Sequence, residues 1–250
     1  MKINHILPVA LSLAALTITF SINSPCWANA PIMITNAPIQ PGPVDPVVRQ
    51  KVMRHWQLQR QADAIKLTDP VKACTLYKES LECWPNDYEV LMSLGDCEEA
   101  ITGDAKQAAP YYYKALFDEK GNYDGTHGLP ANSLLKAALI FEEAGDLTNS
   151  VKLYNYAVEH DINTLGPSVV PVKLPILTTK DTLLDVACYS HIALGLDHQG
   201  PDEQEETINH FLTAIQIKDC ASTRDYWAFF KKRNAGIVEN YAKTHVLKEP

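Results

Sequence analysis

The feature that most constrains this chain is a recurring grammar: a helix-forming stretch, a short polar turn, a second helix-forming stretch, and then the same again. Asp45-Pro46 opens the first unit, with a capping carboxylate followed by a proline where a missing N–H costs nothing. Thr68-Asp69-Pro70 repeats that signal, and Pro85-Asn86-Asp87 closes the pair. The spacing predicts helices over 47–66 and 71–83, rich in Gln, Arg, Lys, Ala and Leu. Further pairs are predicted over 88–101 and 105–117 around Gly103-Asp104, and over 132–144 and 147–160 around Gly145-Asp146. A fourth pair covers 183–196 and 203–217 around Gly200-Pro201, and 224–244 reads as one final amphipathic helix. No such pair buries its apolar face alone, so each depends on its neighbours. Self-similarity at a period in the thirties therefore points to an all-α solenoid of about four antiparallel helix pairs with a C-terminal capping helix.

The residues inside the pairs follow a pattern. Leu94-Gly95 is followed by Ala108, Tyr112 and Ala115-Leu116; Phe141 and Gly145-Asp146 are followed by Tyr154 and Ala157. The first pair carries Ala73, Tyr77 and Pro85, with Arg60-Gln61 where Leu-Gly would stand; the fourth carries Tyr189, Ile192-Ala193, Gly200, Phe211 and Ala214, with about two extra residues after its turn. Small residues let two helices approach, and the aromatics fill the gap to the next pair. These hairpins resemble tetratricopeptide repeats, whose pattern is W-x2-L-G-x2-Y, then A-x3-F, then P. The resemblance runs from about Arg54 to Cys220 within a repeat region of 46–222, interrupted by inserted loops at 118–130 and 165–180, and leaves 223–250 as capping helix and tail. It implies a right-handed solenoid that works by binding, with the first helix of each pair lining a concave groove. Carried over by matching position, that groove comprises Leu58, Met92, Asp96, Glu99, Asn132, Leu135, Leu139, Glu142, Glu143, Ser190, Leu194 and Asp197. Acidic residues around a floor of Leu and Met suit an extended peptide with apolar and basic side chains. The competing reading is that the carboxylates only solvate an exposed face.

The amino terminus speaks to location. Met1-Lys2, an apolar run over 6–20, and the small residues around Cys26-Trp27-Ala28 follow the order of a secretory signal, with cleavage expected after Ala28. The alternative is an uncleaved anchor, although the run is short for a span of roughly 20 residues. Residues 29–45, with Pro31, Pro38, Pro41 and Pro43, read as an extended tether. The expectation is a periplasmic or extracellular protein without stable membrane insertion once the leader is removed. A formal charge of −8 and the lack of any long Lys/Arg run exclude a nonspecific nucleic-acid binder, and favour a cationic partner or one not chosen by charge.

Loss of the leader leaves Cys74, Cys83, Cys97, Cys188 and Cys220, an odd number in a compartment that permits disulfides. Cys74 and Cys97 fall at matching heights on consecutive helices, and Cys188 and Cys220 near one end of the fourth pair; either two bridges or buried thiols would satisfy this spacing. Loop 118–130 contains Asp124-Gly125, but a calcium-loop alignment puts Lys120 first and Ala131 last, which fails at both ends and leaves a turn-rich connector. Loop 166–180 is apolar, β-branched and proline-spaced, and is expected to pack back onto the helices rather than stay exposed. The aromatic-basic stretch Tyr226, Trp227, Phe229, Phe230 and Lys231-Lys232-Arg233 is expected to be the cap. There is no G-x-S-x-G, H-E-x-x-H, C-x-x-C or phosphate-cradling loop, and Glu206, His210, His191 and His198 read as surface pairs. The sequence thus favours a non-catalytic, cofactor-free scaffold for a protein or peptide partner. The alternatives are an exported enzyme or small-ligand binder with 166–180 as a lid, and a self-associating envelope protein.

Overall fold

The computed structural model describes residues 45–197, 203–217, 220 and 223–245. The expected leader (1–28) and nearly all of the expected tether (29–45) lie outside the described residues. Those described form an all-helical domain with ten α-helices and two single 3-10 turns. No helix among them is long and apolar enough to cross a membrane.

The first pair is α1 (Pro46–Ile65) and α2 (Pro70–Cys83), the second α3 (Tyr88–Thr102) and α4 (Ala105–Leu116). The third is α5 (Ala131–Glu143) and α6 (Leu147–His160), the fourth α7 (Leu183–Asp197) and α8 (Gln204–Ile217). Five of these helices start at an aspartate whose carboxylate accepts a backbone N–H of the first turn: Asp45, Asp69, Asp87, Asp104 and Asp146. Each such cap contributes about 1 kcal/mol, because it satisfies a donor the helix cannot. Gly103 ends α3 with φ of 62°, a left-handed conformation that costs other residues energy, so the two-residue link Gly103-Asp104 reverses the chain tightly.

Within every pair the two helices pack against each other, and successive pairs touch along the chain: α2 on α3, α4 on α5, and α5 and α6 on α7. Gly95 sits where a Cβ would come within 2.7 Å of the Tyr112 ring, and Gly195 where it would come within 3.0 Å of Phe211. The missing side chain lets an aromatic of the second helix lie on the backbone of the first. A related device recurs in the first two pairs: Tyr77 OH donates to Asp63 at 2.6 Å, and Tyr112 OH donates to Asp96. In each case the aspartate directly follows the small residue, Ala62 or Gly95.

The single capping helix expected over 224–244 is instead two, α9 (Thr223–Arg233) and α10 (Ala235–Thr244). Asn234 breaks the run at φ −122°, ψ 38°, its N–H and side-chain amide both donating to the Phe230 carbonyl, and α10 turns back onto α8 and α9. Tyr226, Trp227 and Phe230 are buried, the last two against Phe211, and Lys231 stands over the Trp227 ring.

Candidate functional site

Four carboxylates converge at one end of α3 and α5. Asp96 and Glu99 stand one turn apart on α3, and Glu142 and Glu143 close α5. Burial, reinforced by Glu143, pushes Glu142 up to about 7. Burial, then Glu143, then Asp96, raises Glu99 above the usual carboxylate range. Glu99 and Glu143 thus feel each other across two helix pairs. None of the ion pairs among the described residues involves these four side chains. Half-buried Met92 and Leu139 lie on the same helices. The arrangement suits a ligand that brings its own positive charge, since like charges held together are relieved by a cation.

The expected groove does not hold together as one surface. Leu58, Leu135, Ser190 and Leu194 are buried and cannot meet a partner. The reason is direct packing: α5 lies on α7 and α1 on α2, so Leu135, Ser190 and Leu194, like Leu58 on α1, are buried between helices instead of facing a concave opening. The α7 sequence is apolar on nearly every side, which marks an interior helix. Asp96 is exposed but commits one oxygen to Tyr112. Asn132 is half-buried near the opposite end of α5, about 15 Å of helix rise from Glu142. Exposed Asp197 lines a hollow of about 280 Å³ with Pro130, Ala131, Asp161, Thr164 and Leu165, at that same α5 end. Another hollow, about 260 Å³, lies between α8 and α10.

No family model, curated protein or solved structure matches this chain.

The cysteines divide. Cys188 on α7 is bonded to Cys220. The second expected bridge is absent: Cys74 and Cys97 are free, buried thiols in contact between α2 and α3, and Cys83 is free and half-buried. Burial, then Glu98, then Cys97, pushes Cys74 up to about 12; a thiol held protonated is a poor partner for exchange, which proceeds through the thiolate.

Three polar constellations were not legible beforehand. His55 on α1 is buried, with Nε2 3.0 Å from Asp87 Oδ2 and Nδ1 2.8 Å from Ser80 Oγ. The residue types match a nucleophilic triad, but Ser80 is fully buried and its hydroxyl also reaches the His55 carbonyl, so the trio fastens α1, α2 and the start of α3 together. His191 and His210, expected at the surface, place their Nδ1 atoms 2.9 Å apart between α7 and α8, while Glu206 lies near both His210 and Lys136. Burial, then His210, lowers His191 to about 4. His198 lies outside the described residues. No cluster of three or more His, Cys, Asp or Glu among the described residues has the arrangement to hold a metal ion.

The third constellation, Asn155 and Asn163 bonded to the Leu177 and Leu174 backbone, holds down loop 165–180, whose packing the proline-spaced apolar pattern led one to expect. Val170, Leu174 and Leu177 are buried in the main core. Loop 118–130 is fixed by its own turns: Asp118 accepts the Lys120 and Asn122 N–H groups, Asp124 accepts those of Thr126, and Lys152 reaches the Gly121 carbonyl at 2.7 Å. Its two aspartates are occupied in shaping the connector.

Proposed function

We propose that this chain is an exported, non-catalytic interaction protein built of tetratricopeptide-like hairpins in a right-handed solenoid, and that a protein or peptide segment carrying basic side chains docks on the acidic face of α3 and α5. One observation carries the reading: Glu99, Glu142 and Glu143 are held close on neighbouring helix pairs with no ion-pair partner among the described residues, at a cost to the ionisation of Glu99 and Glu142. A protein conserves stability by pairing or separating such groups. Keeping them together and unpaired is favourable when a cationic ligand completes the set. The repeat assignment is supported by the recurrence of a small residue facing an aromatic (Gly95 with Tyr112, Gly195 with Phe211) and by the Tyr–Asp bonds of the first two pairs. Export rests on the order of residues in the leader.

The test is a pull-down from envelope extract with the chain lacking 1–28, beside the same chain carrying Glu99→Lys and Glu142→Lys. A partner held by the first, released by moderate salt and lost from the second while both melt alike, is the expected result. Equal capture by both moves the site off this face.

A further inference from the structure

We propose that the surface formed by α6, the 3-10 turn Ile162–Thr164 and α9 is a binding site for a proline-interrupted peptide, and that residues 167–177 of the chain itself occupy it, turning over 167–169 and running free of turns over 173–177. The segment has no partner strand among the described residues. Its backbone is read by side chains. Asn155 donates its amide to the Leu177 carbonyl at 2.7 Å and accepts the Leu177 N–H at 2.9 Å. Asn163 does the same for Leu174, at 3.0 and 2.8 Å. Tyr154 OH donates to the Pro175 carbonyl, Tyr226 OH to the Val172 carbonyl, and Arg233 to the Ser168 carbonyl. A carboxamide that pairs with both the N–H and the C=O of one residue imitates an adjoining strand, and it works for any sequence that can present an extended backbone there.

The two residues gripped in this way, Leu174 and Leu177, are three apart, and both are buried, as is Val170 four residues earlier. Val172 and Ile176 face solvent. A repeat of three is that of the polyproline II helix, whose conformation Pro167, Pro171 and Pro175 favour. The chemical class of ligand follows: apolar residues three apart, flanked by prolines, with carbonyls free to accept from tyrosine and arginine. This site is separate in composition from the acidic face of α3 and α5 and does not depend on it. A tethered occupant acts at an effective concentration on the order of millimolar, so a free peptide at micromolar concentration competes poorly until the segment is released.

The proposal is tested by cutting the segment out of the folded protein. Site-specific protease sequences are inserted between the exposed residues Leu165 and Gly166 and between the exposed residues Thr179 and Lys180. The purified chain is cleaved and mixed with a fluorescent synthetic peptide of residues 166–179. The cut chain is expected to keep its helical circular dichroism and to exchange the excised piece for the labelled peptide. The uncut chain should bind that peptide at least tenfold more weakly. Asn155→Ala or Asn163→Ala in the cut chain should weaken binding about tenfold. Collapse of the helical signal on cleavage would overturn the proposal by making the segment a core element; so would a held fragment that never exchanges, or asparagine variants that bind as well as the parent. Should the insertions prevent folding, the chain with Leu174→Ser and Leu177→Ser, which empties both seats at native loop length, is tested with the same peptide and against the same outcomes.

Discussion

At the scale of single residues, Glu142 shows how a functional surface is set against stability. Its carboxyl is raised from an ordinary 4.5 to about 7, by burial first and Glu143 second. The folded state therefore holds a proton that the unfolded state has released between those two values. The stabilisation this gives is full below about pH 4.5 and is lost as pH rises through about 7. Glu142→Gln, which cannot ionise, should raise the melting temperature at pH 8 and leave it nearly unchanged at pH 4. With the group half exposed, solvent screening limits the gain to about 1 kcal/mol, or roughly 2–4 °C. Melts of parent and variant at both pH values check this; an equal shift at both would mean that packing, not charge, is responsible. The acidic residues were legible in the sequence because helical spacing places them. The repeat resemblance also put them on one side of the molecule, but how closely Glu99 approaches Glu143 was not legible, since α3 and α5 are separated by a whole helix and a loop.

Among elements, helix ends were easier to read than helix partners. Asp-Pro and Gly-Asp steps act through local hydrogen bonds and backbone preference, so α1 to α6 begin and end within about a residue of where the sequence puts them. The break between α9 and α10 escaped because apolar spacing continues through it, while Asn234 departs from helical geometry and the second half folds back on α8 and α9. Close approach of α3 and α4 depends on Gly95. Gly95→Ala would drive a methyl into the buried Tyr112 ring, which cannot swing aside without losing its bond to Asp96. The expected cost is about 1–3 kcal/mol despite alanine's better helix propensity, read as a lower urea midpoint with unchanged slope. An unchanged or higher midpoint would show that the pair has room to spare.

For the whole molecule, α9 and α10 have the largest consequence. Trp227 and Phe230 cover Phe211, Tyr226 is buried beside them in the sequence, and α9 also holds two carbonyls of the 167–177 segment. Each large apolar side chain buried is worth about 1.5–3 kcal/mol. A chain ending at residue 222 should therefore lose on the order of 5 kcal/mol, comparable with the total stability of an ordinary domain. It should bind a hydrophobic dye and melt without a sharp transition; a cooperative melt near that of the full chain would show that the fourth pair is closed without them.

What the sequence by itself determined is local: all-helical character, pairing through short turns, the caps, the burial of the proline-spaced loop, and the types of residue available to a partner. These depend on interactions within a few positions, where composition and spacing speak directly. Tertiary structure alone decided which faces remained open. Packing of α5 on α7 turned Leu135, Ser190 and Leu194 inward, and packing of α4 on α5 brought Glu99 of the second pair near Glu143 of the third. It also set Asn155 and Asn163 against the backbone of Leu177 and Leu174, from 22 and 11 residues away. A side chain's spacing fixes which side of its own helix it occupies; what lies opposite depends on how far and at what angle the next helix returns, and no short-range pattern carries that.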